Sequence, residues 1–68
     1  MARRSDAELM QDIREALSRI LDYTQGLTLQ AFRADTKTQD AVARNLEIVG
    51  EAVKNLSLEF RKANKEVA

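Results

Sequence analysis

Residues 36–57, TKTQDAVARNLEIVGEAVKNLS, decide the fold. Val42, Leu46, Val49, Val53 and Leu56 alternate steps of four and three, the spacing of an a/d seam on an α-helix. A second stripe, Ala41, Asn45, Ile48 and Ala52, lies beside it, so the helix is apolar over more than one side. One stripe can face a neighbouring helix. The second stripe is expected to stay uncovered in a monomer, because the chain has only one other long helix to offer. Gly50 interrupts this segment at a cost of about 0.5–1 kcal/mol relative to Ala. Its place beside Val49 and Val53 predicts the close approach of another backbone, so Gly50→Leu should disrupt a helix–helix or dimer contact.

Upstream, Asp35 and Thr36 are both capping residues, and Thr36-Lys37-Thr38-Gln39 has the form of a capping box. Thr28–Ala34 reads as a short helical turn that tucks Leu29 and Phe32 under a bend. Ser5-Asp6-Ala7-Glu8 is another capping box and opens a first helix expected over Asp6–Gln25. Its apolar face is Met10, Ile13, Leu17, Ile20 and Thr24, widened by Leu9, Ala16 and Leu21. Gly26 supplies a left-handed position after it, with Leu27 folding back as in a Schellman ending. Downstream, Ser57 either caps a new short helix or lies within a continuing one. Leu58 and Phe60 have no third helix to pack on, and the charged last residues are expected to fray. The fold class is all-α: a long antiparallel helical hairpin with a short helical insert at the bend, dimerising into a four-helix bundle.

A chain of 68 residues allows one small domain, and a monomer of this size is marginal without a staple. With no Cys and no His, disulfides and the usual zinc sites are excluded, which leaves association as the expected source of stability. Eleven basic residues balance eleven acidic ones, which argues against a dedicated nucleic-acid binder. There is no membrane-length apolar run, and MARRSDAELM lacks the apolar core of a secretory signal. A cytoplasmic protein is expected.

Little in the chain can do chemistry. Without His or Cys, the commonest general bases and nucleophiles are missing, and no Gly-rich phosphate loop is present. The carboxylate pairs Asp12/Glu15, Glu8/Asp12 and Glu47/Glu51 stand at helical spacing and read as solvated faces laced with Arg14, Arg19, Arg44 and Lys54. Tyr23 reads most simply as an amphipathic residue closing the bundle end with its hydroxyl in water, a ligand contact being the lesser alternative. Arg33 and Arg44 could contact phosphate, but lone Arg residues of this kind read first as surface solubilisers or ion-pair partners. Asn45, polar on an apolar stripe, is a candidate for fixing register or oligomeric state. No catalytic residue, metal or cofactor is expected.

The series 12-DIREALSRILDYTQGL-27 and 32-FRADTKTQDAVARNLEIVGEAVKNLS-57 resembles the first half of HepT-like proteins, minimal bacterial and archaeal HEPN-domain proteins encoded beside MNT-type nucleotidyltransferases. Its most specific pieces are Tyr23 with Gly26, Phe32–Asp35, Thr38–Val42, and Asn45-Leu46 leading to Ile48–Ala52. The resemblance implies an all-α HEPN homodimer that is the ribonuclease toxin of a toxin–antitoxin pair, with the nucleotidyltransferase as antitoxin. It also implies a metal-independent nuclease motif, R-x(4–6)-H, on later helices past a P-E-I-P-W-like segment. Residues 64–68, NKEVA, stand where that segment should begin, with Lys65 at the expected first Pro. The chain has no His, so the motif cannot be present, nor the Tyr that the antitoxin would modify with AMP.

Residues 1–68 are therefore read as one HEPN-like domain truncated before the nuclease motif. The leading expectation is a shortened HepT-like toxin–antitoxin protein, inactive alone, that dimerises or binds a partner. Its packing surface would comprise Ala41, Val42, Asn45, Leu46, Ile48, Val49, Gly50, Ala52, Val53 and Leu56. Glu51 is a candidate near the active site of complete relatives, against its plainer reading as an exposed helix carboxylate. The alternatives are an N-terminal fragment of an active HepT-type ribonuclease, or an unrelated helical-hairpin dimer. RNA would be a partner only of full-length relatives.

Overall fold

The computed structural model describes residues 4–64. Four helices follow in order: α1 (Asp6–Thr24), α2 (Leu29–Arg33), α3 (Thr36–Asn55) and α4 (Leu58–Asn64). The long pair, α1 and α3, packs as an antiparallel hairpin with α2 at the bend. The expectation of frayed terminal residues falls largely on 65–68, outside the described residues.

The start of α1 is fixed as its sequence dictates. The Glu8 N–H donates to Ser5 Oγ at 3.1 Å, and the Ser5 N–H donates to Glu8 Oε1 at 3.0 Å. Both halves of the capping box are made, so two otherwise orphaned N–H groups are satisfied. The helix stops one residue short of expectation, at Thr24. It also ends differently. Gln25 has φ −57° and ψ 125°, Gly26 has φ 77°, and the Leu27 N–H donates to the Thr24 carbonyl at 3.0 Å. That is a type II β-turn, which needs positive φ at its third residue, and not a Schellman motif. Glycine is still required, for a different reason.

At the bend, Thr28 Oγ accepts the Ala31 N–H and caps α2. The second capping box does not form. Asp35 is the N-cap of α3: one carboxylate oxygen accepts the Thr38 N–H at 3.1 Å and the other accepts the Thr38 hydroxyl at 2.6 Å. An ionised carboxylate accepts more strongly than a hydroxyl and can hold two donors, so Asp35 outcompetes Thr36. Gln39 takes another task. Its amide nitrogen donates to the Phe32 and Arg33 carbonyls, each at 2.8 Å, and closes the C-terminal end of α2.

The hairpin register is legible in its cross-links, which set Asp6 against Ser57 and Arg19 against Asn45. The two stripes of α3 exchange their expected roles. Asn45 and Ala52 are buried and Ala41 and Ile48 half-buried, so the second stripe is the one that packs on α1. The a/d seam is the one left open, with Leu46 54% and Val53 44% exposed. Small Ala side chains permit a closer interhelical approach than Leu and Val, and Asn45 finds its polar partner only on this side.

Ser57 does start a new helix, its hydroxyl accepting the Phe60 N–H at 3.0 Å. Arg61 then reaches back, donating to the Val53 and Lys54 carbonyls at 3.0 Å each, and so caps the C-terminal end of α3. Leu58 remains largely exposed, whereas Phe60 is half-buried. Gly50 is exposed, and a Cβ built there would meet nothing within 4 Å. Among the described residues no backbone approaches it, which corrects the helix–helix part of its expected role.

The result is a slab, 41 × 32 × 14 Å. Its radius of gyration is 14.6 Å, against about 11 Å for a compact domain of this length. Its accessible surface is 5620 Å², against about 4,300 Å² for a globular monomer of this size. Among the described residues, the buried apolar positions are Leu9, Ala16 and Ala52, and no large side chain is fully enclosed.

Candidate functional site

Two surfaces stand out, an apolar face and a cleft between α1 and α3. Leu17 and Leu21 on α1 are 44% and 69% exposed and lie about a quarter-turn round from the buried Leu9 and Ala16. Leu46 and Val53 on α3 lie a similar quarter-turn, in the same sense, from Asn45 and Ala52. In an antiparallel pair, equal rotations bring both sets to one side. Half-buried Val42 and Val49 continue the strip along α3, and half-buried Leu56 lies at its end.

Of the expected packing residues, the structure therefore gathers Val42, Leu46, Val49, Val53 and Leu56 along the open seam. Ala41, Asn45, Ile48 and Ala52 are turned to α1 instead and cannot also serve an outer contact. Gly50 lies at the rim of the open seam.

The groove between α1 and α3 carries a cleft of about 220 Å³ with an apolar floor that includes Leu9 and Ala52. Arg4, Asp12, Glu51 and Asn55 stand around it. Arg4 donates to Asp12 Oδ1 at 2.9 Å and lies 3.9 Å from Glu8, so much of the negative charge on this side is neutralised. Asn55 donates to the Glu51 carbonyl at 2.9 Å and approaches its carboxylate at 3.4 Å. Glu51 is thus an exposed carboxylate at the rim of a cleft, beside Asn55. Among the described residues no group of acids is placed to hold a metal ion.

Farther along, Arg19 Nε donates to Asn45 Oδ1 at 2.7 Å, while Asn45 Nδ2 donates to the Ala41 carbonyl at 2.8 Å. Asn45 is 4% exposed with both ends of its amide occupied. Its polarity on the stripe signalled a register device, and here it pairs within the chain. Its partner could not be named beforehand, because Arg19 lies 26 residues away and is one of several helical Arg residues.

Tyr23 is 41% exposed near the end of α1. Two carboxylates are held below their ordinary values by hydrogen bonds. The Ser5 N–H and hydroxyl, aided by Arg4, lower Glu8, and the Thr38 hydroxyl and N–H lower Asp35. Both serve as caps.

With the geometry of the hairpin in place, the comparisons with known proteins are specific. The family model described as Ribonuclease HepT-like matches residues 13–67. The chain belongs to the HepT-like ribonuclease family. It is 40% identical over 65 residues to "Probable ribonuclease HepT" of Thermococcus cleftensis, an alignment covering 96% of this chain and 59% of that protein. It is 43% identical over 60 residues to "Putative RNase MJ0127" of Methanocaldococcus jannaschii, covering 88% and 50%. A protein of the same organism named "Gamma-glutamylcyclotransferase and putative RNase MJ0434" is 42% identical over 60 residues, covering 87% of this chain and 27% of its own length. The HepT-like chain thus spans about half the length of the first two relatives. No solved structure matches it significantly. Among the described residues no helix is long and apolar enough to cross a membrane.

Proposed function

We propose that this chain acts as an association subunit of a HepT-like toxin–antitoxin system and does not cut RNA alone. The observation that carries this reading is the open apolar face of Leu17, Leu21, Leu46 and Val53. A slab one helix thick cannot cover it from within. Docking a second copy there would make a four-helix bundle, with burial worth about 25 cal/mol per Å² before the entropic costs of association. Because the 68 residues hold no His, an Arg–His nuclease pair cannot form within them. A full-length relative or an MNT-type nucleotidyltransferase in the cytoplasm is the other partner that suits this face. Sedimentation equilibrium should find dimers at micromolar concentration, and an RNA-cleavage assay should give no product above a protein-free control. A stable folded monomer that binds no such partner, or robust cleavage, would sink the proposal.

The length of the relatives favours a second reading, in which these residues are the N-terminal part of a complete HepT-type ribonuclease. Sequencing the gene beyond codon 68 decides it, since R-x(4–6)-H in the same frame is required. The reading as an unrelated helical hairpin falls with the family match.

A further inference from the structure

A half-buried cation in a folded protein is ordinarily met by a carboxylate. Arg19 is not. It is half-buried, and its Nε donates at 2.7 Å to a neutral acceptor, Asn45 Oδ1. No carboxylate among the described residues forms an ion pair with it. Glu15, one turn before it on α1, accepts from Gln11 at 3.3 Å instead, and Arg4 engages Asp12. Asn45 is itself only 4% exposed and pinned by the Ala41 carbonyl, so it aims the guanidinium without neutralising it.

We infer that Arg19, aimed by Asn45, binds a phosphodiester of single-stranded RNA. With Nε engaged, the Nη1–Nη2 edge remains, the fork that matches two oxygens of a phosphate. Arg44, adjacent to Asn45, is exposed and adds charge of the same sign. Tyr23, one turn beyond Arg19 on the same side of α1, is 41% exposed and offers a stacking face. Cation and aromatic side by side suit a strand that alternates phosphate and base better than they suit a protein carboxylate. The inference rests on RNA being the ligand of HepT-like proteins, and it adds the residue that would hold it. The chain's zero net charge makes the contact local, so the salt dependence is expected to be shallow, about −0.7 in log K per log salt for each phosphate engaged.

The test is an NMR titration of the arginine Nε–H signals with oligouridylate, with oligoglutamate as a separate arm. The Arg19 signal should move with RNA. R19Q should weaken RNA binding about tenfold at roughly 50 mM salt and flatten the salt slope by about 0.7. R19K, which keeps the charge and loses the fork, should recover only part, and N45A should weaken binding while Arg19 remains. Circular dichroism checks each variant's fold, and the wild-type titration decides the matter if R19Q is unfolded. Wild-type affinity and slope in folded R19Q would overturn the inference, and so would an Arg19 signal that answers oligoglutamate and ignores RNA. Sedimentation of the same samples separates the two proposals: dimers with a silent Arg19 overturn this one alone, and monomers with a responsive Arg19 count only against self-association.

Discussion

The carboxylate of Asp6 accepts both the backbone N–H of Ser57, at 2.8 Å, and its hydroxyl, at 2.6 Å, across 51 positions of sequence. The same hydroxyl accepts the Phe60 N–H, so one side chain at the start of α1 holds the N-cap of α4 in place. The closure of the hairpin's open end and the start of the last helix are thus a single device.

Ser57→Ala removes both the cap and the hydroxyl donor, leaving the backbone N–H on Asp6, and should destabilise the chain by about 1–2 kcal/mol. Urea unfolding followed by circular dichroism measures the loss, and amide exchange should show it concentrated at Phe60 and Arg61. A double-mutant cycle with Asp6→Ala should show clear coupling. Strict additivity would mean the two residues do not act together.

Asn45→Leu leaves Arg19 half-buried without its acceptor, and should cost about 1–3 kcal/mol despite the gain in apolar surface. Adding Arg19→Met should restore most of the loss, because the polar pair is then replaced as a unit. Thermal melts of the single and double variants test this. A stabilised single variant would show that the Arg19–Asn45 bond contributes nothing to folding.

The two glycines should answer the same substitution with opposite signs. Gly26→Ala forces a Cβ into φ 77° and should lower the melting temperature, by the equivalent of about 1–2 kcal/mol. Gly50→Ala meets open space inside a helix and should raise it, by about 0.5–1 kcal/mol. If Gly50→Ala also weakens sedimentation dimers, the close approach expected at Gly50 belongs to the second copy.

Acid should destabilise the chain through its caps. Glu8 and Asp35 are depressed in the folded state, so the unfolded chain takes up their protons first as pH falls. Their contribution is full above the ordinary values of 4.5 and 3.8, and it is lost as pH drops through the lower folded values. The variant E8Q/D35N should flatten this acid limb in stability measured from pH 6 downward. An unchanged limb would place the titrating groups elsewhere.

Leu46→Glu should abolish association while leaving the monomer's helices intact, since Leu46 is 54% exposed and lies on the open seam. Ile48→Glu, on the covered stripe, should unfold the hairpin instead. Sedimentation paired with circular dichroism distinguishes the two outcomes.

Much of this molecule could be read before its structure was known. Ser5 to Glu8, Thr28 and Gly26 announce boundaries because their effects are local and reach no farther than the next turn. The open and covered stripes of α3 could not be told apart this way. Periodicity gives two apolar stripes, and which one packs depends on how closely a partner helix can approach and where its polar groups fall. Asp35 beat Thr36 through acceptor strength, which a capping pattern does not rank. The cross-links from Asp6 to Ser57 and from Arg19 to Asn45 depend on the register of two helices, a quantity that no single segment contains. The absence of His could be read directly, and it limits the chemistry of these 68 residues more firmly than any contact.

A body 14 Å thin has hardly any inside. Most apolar side chains in it are boundary residues, bordered by a neighbouring helix on one flank and by water on the other. Tolerance to substitution should therefore vary around each helix more than along it, changing within a single turn. A mutational map of such a protein would show stripes in place of the concentric shells of a globule, and the width of each stripe would report what occupies the outer flank.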